Sequence, residues 1–375
     1  MHVAFDATCL LRTRTGVGVF AHELITRWAA ADDVELTAYA LSWRGRDVLA
    51  SSVPATVRIV RRPMAAQVLR PLWRRANHPT IEVWTGAVDV VFGPNYLVPP
   101  TRQAGEVVTV HDLTCVRFAE LCFGDTLEYP AMIRRAIERG AWIHTVSEVV
   151  ADEVREHFRV DPDRVVAVPN GVTAPRTTDP TAGPRLVGAA HYILGLGTIE
   201  PRKAFPLLVE AFDILAAQDP DLRLVIAGPV GWGADDVDRA ISTARHGDRV
   251  VCLGFVDDAT RSALVQGARV LAFPSLYEGF GLPPLEAMAA GTAVVSSSGG
   301  ALAETVGDGG VLVPPRDRDA LVDALRTVLD DDGFRQALIE RGQARAALFS
   351  WDATAAGVLD LVRRAAASAP PFPPP

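Results

Sequence analysis

Short β-rich apolar runs alternate with helix-periodic segments along nearly the whole of this 375-residue chain. Parallel strands can be joined only through a crossover, usually a helix, so the alternation confines the chain to an α/β architecture of βαβ units. In the first half, strands are expected at His2–Phe5, Val34–Tyr39, Thr56–Val60, Val88–Phe92, Val107–Val110, Trp142–Thr145 and Val165–Val168. Helices fit at Val17–Ala30, Leu127–Arg139 and Glu148–His157. The run Pro169–Gly188, rich in Pro, Gly and Thr, lacks either periodicity. Beyond it strands are expected at 192–197, 222–227, 249–253, 269–273, 293–297 and 311–313, and helices at 205–217, 234–244, 258–267 and 284–290. The length exceeds what one core comfortably sustains. Two domains are therefore expected, 1–172 and 189–350, with a linker at 173–188. A C-terminal helix at 351–366 is expected to pack back on the first domain, ahead of a disordered proline-rich tail at 367–375.

Composition removes several classes of function. No apolar run approaches the ~20 residues a bilayer crossing requires. The N-terminal stretch has no basic flank and holds Asp6 among its apolar residues, so it reads as a buried strand and not a signal peptide, and a cytoplasmic location is expected. A net charge of −8 without a basic concentration argues against a nucleic-acid partner. Cys9, Cys115, Cys122 and Cys252 have neither metal nor disulfide spacing and are expected to be reduced core thiols. All but one of the 37 basic residues are arginine, the exception being Lys203. A compact ammonium does not replace a planar guanidinium, so a position that keeps lysine against such a bias is a functional candidate; chance survival is the alternative.

In parallel sheets ligands bind beyond the carboxyl ends of the strands, and the unusual residues collect there. Gly16 and Gly18 follow the first strand, His111 and Asp112 the strand ending at Val110, and Arg202 and Lys203 the strand ending at Gly197. Val256 to Asp258 and Glu278 to Gly281 follow two more, so five segments are expected to point at one cleft between the domains. Thr15-Gly16-Val17-Gly18 opens a helix, where free N–H groups favour an anion; a tight turn without ligand is as good a reading. Arg202 and Lys203 precede a helix, where cations oppose the dipole, so a bound diphosphate explains them better than solvation does. The run from Ser275 to Gly291 places glycines at 279 and 281, prolines at 283 and 284, and Glu286 in the first helical turn. There Glu286 either accepts from sugar or ribose hydroxyls or merely complements the dipole.

Glu278 and Glu286, with seven residues between them in EGFGLPPLEAMAAG, resemble the E-x7-E motif of the retaining glycosyltransferases of family 4. The order of TGVG (15–18), HDL (111–113), VSE (146–148), PNGV (169–172), GTIEPRK (197–203) and FVDD (255–258) is similar to that family as well, and GTIEPRK looks most like its bacterial GDP-mannose-dependent mannosyltransferases. The resemblance implies the GT-B fold, two Rossmann-like parallel-sheet domains facing across a cleft. It implies transfer of a hexose from a nucleotide-sugar donor to a saccharide or lipid-linked acceptor in envelope polysaccharide or glycolipid synthesis. Arg202 and Lys203 would hold the diphosphate and Glu286 the ribose. Glu278 with the backbone at Phe280, Gly281 and Leu282 would face the sugar or its phosphate, His111 would lie beside the sugar, and Val256 to Asp258 would border the base. Asp258 could instead be a helix cap. The chain departs from the family at Ala204, at Val19 and Phe20, and at Thr198, where many members carry a further arginine.

No metal or cofactor is expected, since cations and a helix dipole can serve a diphosphate; the Asp-x-Asp strings at 161–163, 219–221 and 236–238 read as caps and exposed acids. Arg61, Arg62, Arg70, Arg74 and Arg75 alternate with Met64, Val68, Leu69, Leu72 and Trp73, either a basic amphipathic helix for peripheral contact with anionic lipid at the inner membrane face or a solvated helical face. A sugar-nucleotide epimerase, a phosphorylase and a non-catalytic partner of another transferase remain as alternatives. A dinucleotide dehydrogenase is disfavoured, because Glu200 stands where the third fingerprint glycine belongs.

Overall fold

In the computed structural model, which describes residues 1–11, 16–44, 46–175, 179 and 181–368, every expected strand is present. Seven form one sheet: β1 (His2–Asp6), β2 (Glu35–Tyr39), β3 (Arg58–Ile59), β4 (Val90–Gly93), β5 (Gly105–Val110), β6 (Trp142–Thr145) and β7 (Val165–Ala167). Six form another: β8 (Tyr192–Leu196), β9 (Arg223–Ala227), β10 (Val250–Gly254), β11 (Val270–Phe273), β12 (Val294–Ser297) and β13 (Val311–Val313). All named pairings are parallel, in the orders β3-β2-β1-β4-β5-β6-β7 and β10-β9-β8-β11-β12-β13. Both are doubly wound, with the strand order reversing between β1 and β4 and between β8 and β11. Central strands such as β4, β8 and β11 are buried along their whole length, which is why they read as continuous apolar runs and not as alternating ones.

The chain divides into two compact units, residues 1–171 together with those from Trp351 onward, and residues 172–350. In the first unit the helix Trp351–Ser368 lies against β5 and the Gly16–Trp28 helix. Trp28 Nε1 donates to the Ala355 carbonyl at 2.9 Å, and Thr354 Oγ1 to the Pro169 carbonyl at 2.8 Å. Gly105 is a glycine because of this helix: a Cβ there would stand 2.4 Å from the Ala365 carbonyl oxygen.

Three sequence expectations need correction. The Pro169–Gly188 run contains a short helix, Ala182–Val187, closed by Gly188 at φ +64°. Of the cysteines only Cys115 is buried; Cys252 is exposed, because β10 is an edge strand. The Asp-x-Asp strings do serve as caps and exposed acids, Asp161 accepting from Asp163 N and Asp219 from Asp221 N. The basic stretch is helical only over Ala66–Arg75, and Met64, Leu69 and Trp73 belong to the core of their own unit. Its exposed apolar residues are therefore Val68 and Leu72 alone, beside exposed Arg61, Arg62 and Arg75. Among the described residues no helix is long and apolar enough to cross a membrane. The end of the expected tail, 369–375, lies outside the described residues.

Candidate active site

The loops that follow β8 and β11 leave neighbouring strands at the reversal point of the second sheet, so their residues meet although 75 positions separate them. After β8 the chain turns through Pro201–Lys203 and a left-handed Ala204 (φ +51°) into the helix Phe205–Ala216. Left-handed backbone costs an alanine roughly 1–2 kcal/mol, and it is the turn that sets Lys203 inward. The Lys203 ammonium lies 2.6 Å from Glu278 Oε1 and 4.8 Å from the centre of the Phe273 ring. Its stem runs over Gly197 (φ +144°), where a Cβ would come within 3.3 Å of Lys203 Cε. This accounts for the one lysine in an arginine-rich chain: the space is narrow and takes a linear stem, not a planar fork.

Arg202 meets the same carboxylate from the other side. Its Nη1 is 2.5 Å from Glu278 Oε2 and donates to the Tyr277 carbonyl at 2.7 Å, while Nη2 is 2.7 Å from Glu200 Oε1. The Arg202 carbonyl accepts from Leu276 N at 2.8 Å, which ties the two loops together through backbone as well. Burial pushes the Glu278 carboxyl upward, but the two cations and their hydrogen bonds outweigh it and bring the group down to about 2. Burial depresses the Lys203 ammonium despite Glu278, with Arg202 adding to the depression. Two cations and two carboxylates thus form a charge-balanced cluster whose side chains are 11 to 15% exposed.

Sequence reasoning missed what supports this loop from below. Gly299 and Gly300 follow β12, and a Cβ on them would stand 2.3 Å from the carbonyl oxygens of Leu276 and Glu278 respectively. Gly300, at φ +63°, bridges to Glu278, whose carbonyl also accepts from Ala301 N at 2.8 Å. The only available signal was a Gly-Gly pair after an expected strand. Phe280 is buried and meets Phe349 edge to face at 5.7 Å. Gly281 (φ +112°) starts the helix Leu282–Ala289, among whose first three residues only Leu282 offers an N–H, since Pro283 and Pro284 have none.

Glu286 does not lie in the first turn as expected, because the helix begins two residues earlier, at Leu282. A carboxylate one turn in gains little from the dipole, so that explanation of Glu286 loses force. It faces Arg261 of the helix Asp258–Gly267, with Nη1 at 3.2 Å from Oε1 and a second, shorter bond from Nη2 to Oε2. Burial holds its carboxyl above the ordinary range, opposed by Arg261. That helix is capped by Asp257, which accepts from Thr260 N at 2.8 Å, so Asp258 is not the cap; it is exposed at the first helical position beside half-buried Val256. Thr198, half-buried, remains on the loop after β8, and its methyl lines the space beside Gly231.

In the first unit, Gly16 opens a helix with Gly18 buried in its first turn, while Thr15 lies outside the described residues. His111 follows β5, edge-on to Phe20 and to Tyr96. Its Nε2 is 2.7 Å from the Pro94 carbonyl, which can only accept, so Nε2 carries the proton and Nδ1 is the acceptor. Burial lowers its pKa and keeps the ring neutral. Among the described residues no three His, Cys, Asp or Glu side chains are grouped to hold a metal ion.

Comparison with known proteins places these features in context. The family model for glycosyl transferases group 1 matches residues 185–345, and that for glycosyltransferase family 4 matches residues 14–176. O-antigen chain mannosyltransferase B of Escherichia coli is 29% identical over 375 residues, covering 94% of this chain and 97% of its own. A D-inositol 3-phosphate glycosyltransferase of Frankia alni is 34% identical over 278 residues, covering 69% and 68%. Among solved structures, a sucrose-phosphate synthase from Thermosynechococcus elongatus superposes with a TM-score of 0.75 at 21% identity over 97% of this chain and 98% of that one.

Proposed function

Because the chain belongs to the family 4 glycosyltransferases of the GT-B fold, we propose that it transfers mannose from GDP-mannose to a hydroxyl of a saccharide or lipid-linked acceptor of the cell envelope, with retention at the anomeric carbon. The observation that carries this reading is the pair Arg202 and Lys203 held on Glu278 at the carboxyl end of β8. A diphosphate arriving there takes over the donors that Glu278 now accepts, and the released carboxylate turns to hydroxyls of the hexose. The bond from the anomeric carbon to the diphosphate oxygen breaks, and the bond to the acceptor oxygen forms. The acceptor hydroxyl passes its proton to the departing diphosphate oxygen, and the nucleoside diphosphate leaves stabilised by two cations and the Leu282 N–H at the start of its helix. Neutral His111 offers an acceptor nitrogen at the end of β5 for a sugar hydroxyl. Mannose as the transferred sugar is supported by the name of the Escherichia coli relative, while the Frankia alni relative widens the choice of acceptor.

Incubation with GDP-mannose and a mannose-terminated acceptor is expected to give a product whose first-formed anomeric signal by NMR has the donor's α configuration. The rate is expected to be unchanged by EDTA, since the cations do the work of a metal. A β-linked product, or activity lost to EDTA and restored by Mg²⁺, contradicts the respective part of the reading. For the acceptor side, Arg61, Arg62 and Arg75 around exposed Val68 and Leu72 suit anionic lipid. Flotation with phosphatidylglycerol vesicles is expected to fall several-fold when these three arginines become glutamate; flotation of the variant equal to that of the parent removes this contact.

A further inference from the structure

Glu286 presents a physical problem that the proposed donor site leaves open. A carboxylate that is to accept from two vicinal ribose hydroxyls must be ionised and fixed in orientation, yet its side chain is only 12% exposed and burial favours the neutral form. A neutral carboxyl donates one of its hydrogen bonds and turns freely about its last torsion.

Arg261 acts against both difficulties. It approaches end-on with two N–H groups on two oxygens, which fixes the plane of the carboxylate and leaves the remaining lone pairs of each oxygen for a ligand. Among the described residues it is the one cation within ion-pairing distance of Glu286, and the acid closest along its own helix, Asp258, acts in the opposite sense. Its backbone is anchored too: Arg261 N donates to the Asp257 carbonyl at 2.8 Å in the first turn of a helix that Asp257 itself caps. The Arg261 side chain remains 30% exposed and that of Glu286 12%, so the pair lies near the surface of the unit.

We propose that Arg261 is the positioning residue for ribose recognition, holding Glu286 as an oriented anion so that the 2′- and 3′-hydroxyls of the donor nucleotide can donate to it. The proposal rests on the reading of Glu286 as the ribose carboxylate. It separates a role for Arg261 in recognition from a merely structural one, since only recognition depends on the hydroxyls.

Calorimetric titration with GDP and with 2′,3′-dideoxy-GDP tests it on the intact protein. The parent is expected to prefer the ribonucleotide by about 10-fold or more. Arg261→Gln is expected to bind the dideoxynucleotide as the parent does and to lose most of the preference, with Arg261→Lys recovering part of it. A preference that survives in Arg261→Gln but not in Glu286→Gln overturns the role of Arg261 alone, as does equal weakening of both ligands. A preference that survives in Glu286→Gln as well, or is absent from the parent, overturns the reading of Glu286 on which the proposal depends.

Discussion

Lys203→Ala is expected to lower turnover by about 10²-fold or more, the usual loss when one donor to a developing anion is removed from a buried site. The loss should fall on kcat more than on KM, because the diphosphate gains charge as the glycosidic bond breaks. The fold should persist at reduced stability: Arg202 still meets Glu278 Oε2 at 2.5 Å, although it must then answer both Glu278 and Glu200. Lys203→Arg is not expected to rescue, since the stem already runs past Gly197 at close contact and the ring of Phe273 covers the ammonium. Steady-state kinetics on the three proteins, with thermal melting as the control for folding, check this. Turnover within threefold of the parent in Lys203→Ala contradicts it.

The second large effect comes from the opposite charge. Glu278→Gln leaves Arg202 and Lys203 buried with only Glu200 to answer them. Removing one partner of a buried pair typically costs about 3–5 kcal/mol, and the residual Glu200 contact puts the expected loss near the lower end. Glu278 is depressed in the folded state to about 2 from an ordinary 4.5. The stability it contributes is therefore fully present above about pH 4.5 and is lost as pH falls toward 2. In Glu278→Gln that acid-dependent part of the stability curve should flatten. Inorganic pyrophosphate should raise the melting temperature of the variant more than that of the parent, because in the parent the anion must first displace the carboxylate. Denaturant titrations across pH 3 to 7, with and without pyrophosphate, measure both effects. An unchanged acid limb, or an equal rise in the two proteins, argues against the counter-ion role.

How much of this was legible in the sequence depended on how local the signal is. The strands were legible because β4, β8 and β11 are buried on both faces and their sequences contain almost nothing but apolar residues. Lys203 and Glu278 were legible one at a time, the first by compositional bias and the second by its motif. Their pairing was not, since it is created by the reversal of strand order at β8 and β11. Arg261 carried no signal, being one arginine among many in a chain that uses arginine for nearly every cation. The start of the Glu286 helix was misplaced because two prolines suggested the first turn, whereas Gly281 at φ +112° begins it earlier. Asp257 and Asp258 are chemically alike, and only the backbone decides which one caps. The basic stretch at 61–75 showed its amphipathic pattern but not its orientation, and the core of its own unit takes most of the apolar side.

The measurement that bears most directly on the donor site is a crystal structure of the protein with GDP-mannose bound. Both phosphates are expected within hydrogen-bond distance of Arg202 and Lys203, with Glu278 shifted from the Lys203 ammonium onto hexose hydroxyls. A diphosphate seated elsewhere, with Lys203 still paired to Glu278, contradicts the assignment of these residues to the leaving group.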